Sequence, residues 1–348
     1  MEKIIDYDAT KISWSRSLRS KLKQRIDAKF EPNLKALVLY RPFITMWHYT
    51  SPFFNEVLGQ THKFFNPDIS HNLGICVSGS GSNSSFSCLM TNKPITYDTL
   101  EKTRCYPLIF HCEDKKHHDH SLFTTGAKKK VRDGITDAGL AHFKAAYPNE
   151  NITKEDIFYY IYGLLHSEDY RTRYAHNLCK ELPRIPCVKS ADDFWKFVTA
   201  GRELGHLHVN YETVEPYPVT FKKGNPKQTD ISNPEKFYYV TEMKFFSKNK
   251  VKDKSIVFYN SNITMTGIPL EAYEYIVNGK PALEWVMGRQ CVKTDKKSGI
   301  VNDANRYAVE TVGNPAYPLE LFQRVITVSL ETMKIVKNLP KLEIRETE

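Results

Sequence analysis

The sequence predicts an α+β protein with a β-rich N-terminal region, a helical middle and a β-rich C-terminal region with a long final helix. Three observations lead there. About the first 125 residues hold short apolar runs broken by Gly, Pro, Ser and Asn. Up to residue 210, apolar residues then recur at three- and four-residue intervals behind capping groups. From 211 onward, short β-branched and aromatic runs return between lysine-rich turns. The expected partition is 1–127, 128–210 and 211–348, with the first seam in the charged stretch EDKKHHD (113–119) and the run Lys128-Lys129-Lys130.

In the first region, WSRSLRSKLKQRI places Leu18, Leu22 and Ile26 four apart among basic residues, the pattern of an amphipathic helix with a positive outer face. LKALVLYRPFITMWHY reads as strand broken at Pro42, which holds Arg41 extended before a turn. NLGICVSGSGSNSSFSCLM reads as strand, small-residue turn, strand.

In the middle, Thr153-Lys154-Glu155-Asp156 has capping-box spacing, and Ile157, Tyr160, Ile161, Leu164 and Leu165 follow on one face. Ser167 caps a second helix whose stripe is Tyr170, Tyr174, Leu178 and Leu182, leaving Arg171 and Arg173 outside. Ser190 opens a third, with Phe194, Phe197, Val198 and Leu204 inward. Beyond it YPVTF, KFYYVTEMKFF and KSIVFYNSNITMTGI read as strands. LEAYEYIVN reads as a helix closed by Gly279, and ALEWVMGRQ as one begun by Pro281. The final helix carries Phe322, Val325, Ile326, Leu330, Met333 and Val336 on one side.

The chain has 348 residues, 41% of them hydrophobic and 12% aromatic, enough to bury sizeable cores and to exclude general disorder. A formal charge of +9 favours a polyanionic partner. No apolar run is long enough to cross a bilayer, so no membrane partner is expected. Seven scattered cysteines without a secretory signal read as reduced thiols in the cytoplasm.

The search for catalysis finds fragments only. Gly79-Ser80-Gly81 and Asn314-Pro315-Ala316-Tyr317 imitate the cofactor loop and amide-gripping tetrad of amino-methyltransferases, but the glycine pattern is incomplete and the second proline is Ala316. Cys105 and Cys112 are spaced too widely for a structural zinc pair, and His117, His118 and His120 beside them read as a charged loop. There is no nucleophile elbow and no phosphate-binding GxxxxGK[ST] loop; Glu242-Met243-Lys244 lacks the spacing of a nuclease carboxylate set. No catalytic residue and no metal ligand is therefore assigned.

Nucleic-acid contact fits better. Residues 288–303, GRQCVKTDKKSGIVND, set Arg289, Lys293, Lys296 and Lys297 around a Ser-Gly turn beside Gln290 and Asn302. Lysine binds phosphate as a point charge, whereas Arg, Gln and Asn can pair with base edges. Lys222 and Lys223, with the alternating Lys248, Lys250, Lys252 and Lys254, add charge in the same region. A protein–protein scaffold and a complete DNA adenine methyltransferase are the two rival readings.

YRPF (40–43), FSCLMTNKPI with CYPLIF, DIFYYIYGLLHSEDYRTRYAHNLCKELPRIP, FWKFVTAGRELGHLHVNYE and ITMTGIPLEAYEYIVNGKPALEWVMGRQCVKTDKKSGIVND occur in that order. Over about residues 4 to 340 the chain resembles the C-terminal target-recognition (specificity) portion of single-chain Type ISP restriction–modification enzymes, which are related to DEAD-box helicase/methylase fusions. The resemblance implies sequence-specific recognition of double-stranded DNA. It also implies that the nuclease, the helicase-like ATPase and the adenine-N6 methyltransferase lie upstream, in cis or as separate subunits. S-adenosylmethionine, ATP and Mg would belong to those modules, leaving no cofactor here. This copy departs from the family at Met287-Gly288-Arg289-Gln290-Cys291, where an acidic-Arg-Tyr run is expected, and at Asn302-Asp303-Ala304-Asn305, where Pro often follows the Asp. The expected DNA-contact set is Arg41, Lys222, Lys223, Arg289, Lys293, Lys296, Lys297 and Asn302.

Overall fold

A strand covered on both faces loses its two-residue alternation and becomes a continuous apolar run. GICV and CLMT are such runs, and the computed structural model, which describes residues 14–55, 64–65, 72–112, 130–228 and 230–345, shows why. After α1 (Arg16–Lys23), β1 (Lys35–Arg41) and β2 (Ile44–Tyr49) form a hairpin. Next come β3 (Gly74–Val77), β4 (Cys88–Thr91) and β5 (Arg104–Pro107), an antiparallel sheet in the order β4-β3-β5, buried throughout β3 and β4. Ile75, Val77, Cys88 and Met90 point into one core while Cys76 and Leu89 point into the other. The sheet is a wall with apolar packing on each side.

Behind the wall lies the helical core. β6 (Ile109–Cys112) pairs with β7 (Lys130–Asp133), followed by α2 (Asp137–Ala146), α3 (Lys154–His166), α4 (Glu168–Arg173), α5 (Ala175–Leu178) and α6 (Ala191–Val209). The capping box at Thr153 forms in full, and Ser167 and Ser190 accept the expected backbone N–H groups. α3 and α6 pack backbone against backbone. A Cβ at Gly163 would lie 2.2 Å from the Phe197 carbonyl oxygen, and one at Gly201 would lie 1.9 Å from that of Tyr159.

In front of the wall lies the second core. β8 (Thr220–Lys223), α7 (Pro234–Tyr238), β9 (Lys244–Lys248), β10 (Val251–Phe258) and β11 (Thr264–Thr266) give an antiparallel sheet in the order β8-β11-β10-β9. Then follow β12 (Ile276–Val277), β13 (Lys280–Pro281), α8 (Ala282–Arg289), β14 (Val292–Thr294), β15 (Val301–Asp303), α9 (Ala304–Tyr307), a π-helical turn (Ala308–Val312) and α10 (Tyr317–Lys337). α10 joins both cores, with Phe322, Val325 and Ile326 in the front one and Val336 against the helical one. Where the cores meet, the buried Tyr162 hydroxyl accepts from Met90 N–H (2.8 Å) and bonds His208 Nδ1 (2.6 Å), whose Nε2 meets Thr332 Oγ1 (2.8 Å). One polar chain thus ties the wall, α3, α6 and α10.

Several sequence expectations need correction. Ile26 lies past the end of α1 and is 47% exposed, so only Leu18 of that stripe is buried. The stripe at 170–182 breaks after Arg173, where Tyr174 leaves helical geometry, and Leu182 is 42% exposed. Arg171 is not on the outer face: its Nε donates to the Leu165 carbonyl at 2.7 Å and its Nη2 to Cys88 Sγ at 3.5 Å. KFYYV opens as α7, because Asn233 caps Lys236 N–H and Pro234 fits the first turn. LEAYEYIVN is a 3₁₀ turn and then the hairpin β12–β13, turned by Asn278 (φ 49°) and Gly279 (φ 80°). The stretch 113–119, Lys128, Lys129 and His117, His118 and His120 lie outside the described residues; Lys130 opens β7.

Candidate nucleic-acid interface

The β1–β2 hairpin turns at Pro42-Phe43, with Phe43 in the left-handed region (φ 60°), fully buried and edge-on to Tyr211 and His208. This anchor fixes Arg41 at the end of β1. Its Nη1 donates to the Tyr40 carbonyl (2.7 Å), and its guanidinium carbon sits 4.1 Å from the centre of the Tyr40 ring. Arg289, at the last turn of α8, brings a second guanidinium to 5.7 Å from that ring. Burial pulls the Arg41 pKa below its ordinary value; the Arg289 charge acts the same way, while Tyr40 and Asp98 oppose it.

A third cation, Lys280, follows the Asn278-Gly279 turn, its ammonium 3.7 Å from the centre of the Trp285 ring. Its pKa is lowered by burial first, then by Arg289, Lys293 and Arg41, with Glu284 opposing. Lys293 on β14 stands opposite Asn302 on β15 in the antiparallel register, and both are exposed. Arg41, Arg289, Lys280 and Lys293 therefore feel one another, and among the described residues none of the four makes an ion pair.

At the far end of the β14–β15 hairpin, the Asp295 carboxylate accepts from Lys297 N–H, Ser298 N–H and the Ser298 hydroxyl, and Gly299 takes the left-handed position (φ 73°). These bonds hold the Asp295 pKa below its usual value and present Lys296 and Lys297 to solvent. Lys222 and Lys223 do not join the cluster. They lie on β8, at the edge of the four-stranded sheet, where Lys223 Nζ donates to the Ser261 carbonyl. Their link to the hairpin is indirect: Asn260 bonds the carbonyl of Tyr239, whose hydroxyl donates to Asp303 Oδ2 at 3.4 Å. In the alternating lysine run, Lys254 is occupied by Glu284.

Between β2, the end of α8, β14–β15 and α9 opens a cleft of about 340 Å³. Tyr40, Trp47, Arg289, Gln290, Lys293 and Asn302 line it. A larger hollow of about 960 Å³ between α6 and α10 is different in kind. Its cations Lys196, Arg202 and Lys334 are each bonded to carboxylates, whereas in the cleft Arg306 is bonded to Glu310 and, among the described residues, Arg289 and Lys293 make no ion pair. Sequence reasoning missed Lys280, Trp47 and Tyr40. A basic residue directly after an Asn-Gly hairpin signal was the one trace of Lys280; Trp47 and Tyr40 left none.

The methyltransferase fragments serve packing. The Asn314 side chain accepts from Ala316 N–H, and the buried Tyr317 hydroxyl donates to Glu212. Gly79 admits the Lys102 carbonyl, which would lie 2.2 Å from a Cβ there. Glu242 is ion-paired to Lys244 on the surface. Among the described residues there is no His/Cys/Asp/Glu group of metal-binding geometry, and no helix is long and apolar enough to cross a membrane.

The family model for the Type ISP C-terminal specificity domain matches residues 1–321. Among solved structures, the chain is similar to a nuclease-deletion mutant of the Type ISP restriction–modification enzyme LlaGI in complex with a DNA substrate mimic, at 35% identity and a TM-score of 0.76. It is likewise similar to the ATP-dependent Type ISP enzyme LlaBIII bound to DNA (30%, TM-score 0.80) and to DrdV in a DNA complex (29%, TM-score 0.78). Each match covers 99% of this chain but only 28%, 21% and 32% of LlaGI, LlaBIII and DrdV respectively. No curated protein sequence matches.

Proposed function

This chain belongs to the family of Type ISP C-terminal specificity domains of restriction–modification enzymes, and from that premise we propose that it reads duplex DNA through the cleft and its basic rim. One observation carries the reading: Arg289 and Lys293 line the cleft, Arg41 and Lys280 stand close enough to Arg289 to feel its charge, and among the described residues none of the four is ion-paired. Like charges so placed repel, and a polyanion is the ligand that relieves the repulsion.

Each residue then has a task. Lys293, Lys296, Lys297 and Lys280 meet phosphates and supply affinity that falls steeply with salt. Arg41 and Arg289, oriented by Tyr40, offer planar donor forks suited to phosphate or to guanine. Asn302, across from Lys293, is placed to pair with a base edge. Lys222 and Lys223 extend phosphate contact along β8. That solved relatives hold DNA supports this assignment. Bond-making and bond-breaking, with any S-adenosylmethionine, ATP or Mg, are assigned to modules outside this stretch.

The test is fluorescence anisotropy of a labelled random duplex at low and moderate salt, comparing the chain with its Arg41→Ala/Arg289→Ala variant. Removing two mutually repelling charges should leave the melting temperature unchanged or higher, while low-salt affinity drops by about tenfold or more. Equal affinity for the two proteins would remove the cleft from the DNA-reading surface.

A further inference from the structure

We infer that the cleft receives a single unstacked nucleobase, held by Gln290 and flanked by Trp47. This rests on the DNA-reading assignment above and adds what part of DNA enters.

The first observation is an orphan. Gln290 lines the cleft, is 2% exposed, and its amide oxygen has no hydrogen-bond partner. Buried acceptors without a donor are rare and destabilising, and a ligand that brings a donor is one way such a group is retained. Every nucleobase carries an N–H beside an acceptor on its pairing edge, the complement of a primary amide. In an intact duplex that edge is occupied by the partner base. The groove edges that remain accessible belong to a stack that cannot enter a cleft of about 340 Å³. A lone base can, and the volume lies in the range that holds small ligands, roughly 300–1,000 Å³.

The second observation is the rim. Trp47 is 51% exposed, unusual for an indole, and its Nε1 donates to Thr311 Oγ1 at 2.9 Å, which fixes the ring beside the opening. An exposed, tethered aromatic is the usual platform for an unstacked base. Arg289 and Lys293, which also line the cleft, supply the charge for the flanking phosphates. The carboxylates that also line the cleft do not compete for the ligand. Asp303 Oδ1 accepts from Asn305, and Glu310 is paired with Arg306.

The test uses the whole chain and calorimetric titration with dAMP, dCMP, dGMP and dTMP, with deoxyribose 5-phosphate as the base-free probe. At least one mononucleotide should bind about tenfold more tightly than the base-free phosphate and should quench tryptophan fluorescence in a manner lost in Trp47→Phe. Gln290→Met should return that mononucleotide to the base-free affinity while melting no lower than the parent chain, since it deletes an unpaired acceptor. A purely structural Gln290 would instead melt lower with nucleotide affinity unchanged, which overturns the proposal. So does the outcome in which no mononucleotide surpasses deoxyribose 5-phosphate while random duplex still binds. If random duplex is not bound either, the DNA-reading assignment fails together with it.

Discussion

Gly201→Ala sets two effects of opposite sign against each other, and the structure decides between them. In an open helix, replacing glycine with alanine restricts the unfolded chain and stabilises by about 1 kcal/mol. At Gly201 the new Cβ would sit 1.9 Å from the Tyr159 carbonyl oxygen and 2.7 Å from its carbon, where ordinary contact needs more than 3 Å. The obstacle is backbone, so no rotamer relieves it. α3 and α6 must part by about 1 Å or more, along an interface that buries Tyr160, Leu164, Phe194, Phe197 and Leu204. Overpacking of that kind costs about 1–3 kcal/mol, towards the upper end when backbone meets backbone. The net expectation is a loss of roughly 2 kcal/mol. Urea denaturation followed by far-UV circular dichroism measures it, with Gly139→Ala in α2 as the internal control. There the nearest atoms are side-chain groups at 3.3 and 3.5 Å, and the propensity gain should win. Gly201→Ala combined with Gly163→Ala should cost less than the sum, because one separation relieves both clashes. A Gly201→Ala chain stabilised by about 1 kcal/mol would mean that the helices are not in backbone contact.

Two further outcomes follow from charge. Replacing Lys296 and Lys297 with Ala should weaken binding to all duplexes alike and reduce the log–log salt slope by about 1.8, at roughly 0.9 per phosphate contact; an unaltered slope removes the hairpin tip from the interface. Burial, reinforced by the Arg171 charge, holds His166 well below its usual pKa and His208 down to about 3, so both are neutral when folded and take up protons on unfolding. The His208 contribution is fully present above the unfolded value of 6.5 and is lost as pH falls towards about 3, at about 1.4 kcal/mol per pH unit, and that of His166 is lost in the same direction below 6.5. Urea midpoints should therefore fall between about pH 7 and about pH 5, before most carboxylates titrate, and a midpoint that holds over that window would sink the assignment.

Local signals were legible because their physics is local. The caps at Thr153, Ser167 and Ser190 need only a side-chain oxygen and the next turn of backbone, and each formed as expected. The apolar runs of β3 and β4 were legible as strands joined by a small-residue turn; that both faces are covered is a tertiary fact. Where a segment was misjudged, a stronger neighbour intervened. Asn278-Gly279 is a hairpin signal that outweighs the helical spacing of LEAYEYIVN, because both residues accept the left-handed backbone that a two-residue turn demands. KFYYV has strand propensity, yet Asn233-Pro234 immediately before it supplies a helix start. Arg171 looked external by periodicity and is drawn inward by the carbonyl at the end of α3, a tertiary fact that spacing does not encode.

The site was legible only in its contiguous part. Lys293 and Asn302 flank a turn in sequence, so their cross-strand pairing follows from hairpin register. Arg41 lies more than two hundred residues before Lys280 and Arg289, and the three meet through a structure that departs from local rules at the points nearest the cleft. Phe43, a bulky residue at φ 60°, is held there by full burial, and it turns β1 so that Arg41 and Tyr40 face α8. Asn278 and Gly279 put Lys280 over Trp285. The π-helical turn Ala308–Val312, a rare geometry that interrupts ordinary helix, supplies the Thr311 hydroxyl that tethers Trp47. Of these, the left-handed Phe43 costs conformational energy and is kept by its full burial. These departures bring the cations and aromatics of the candidate site to one mouth, which no local sequence signal encodes.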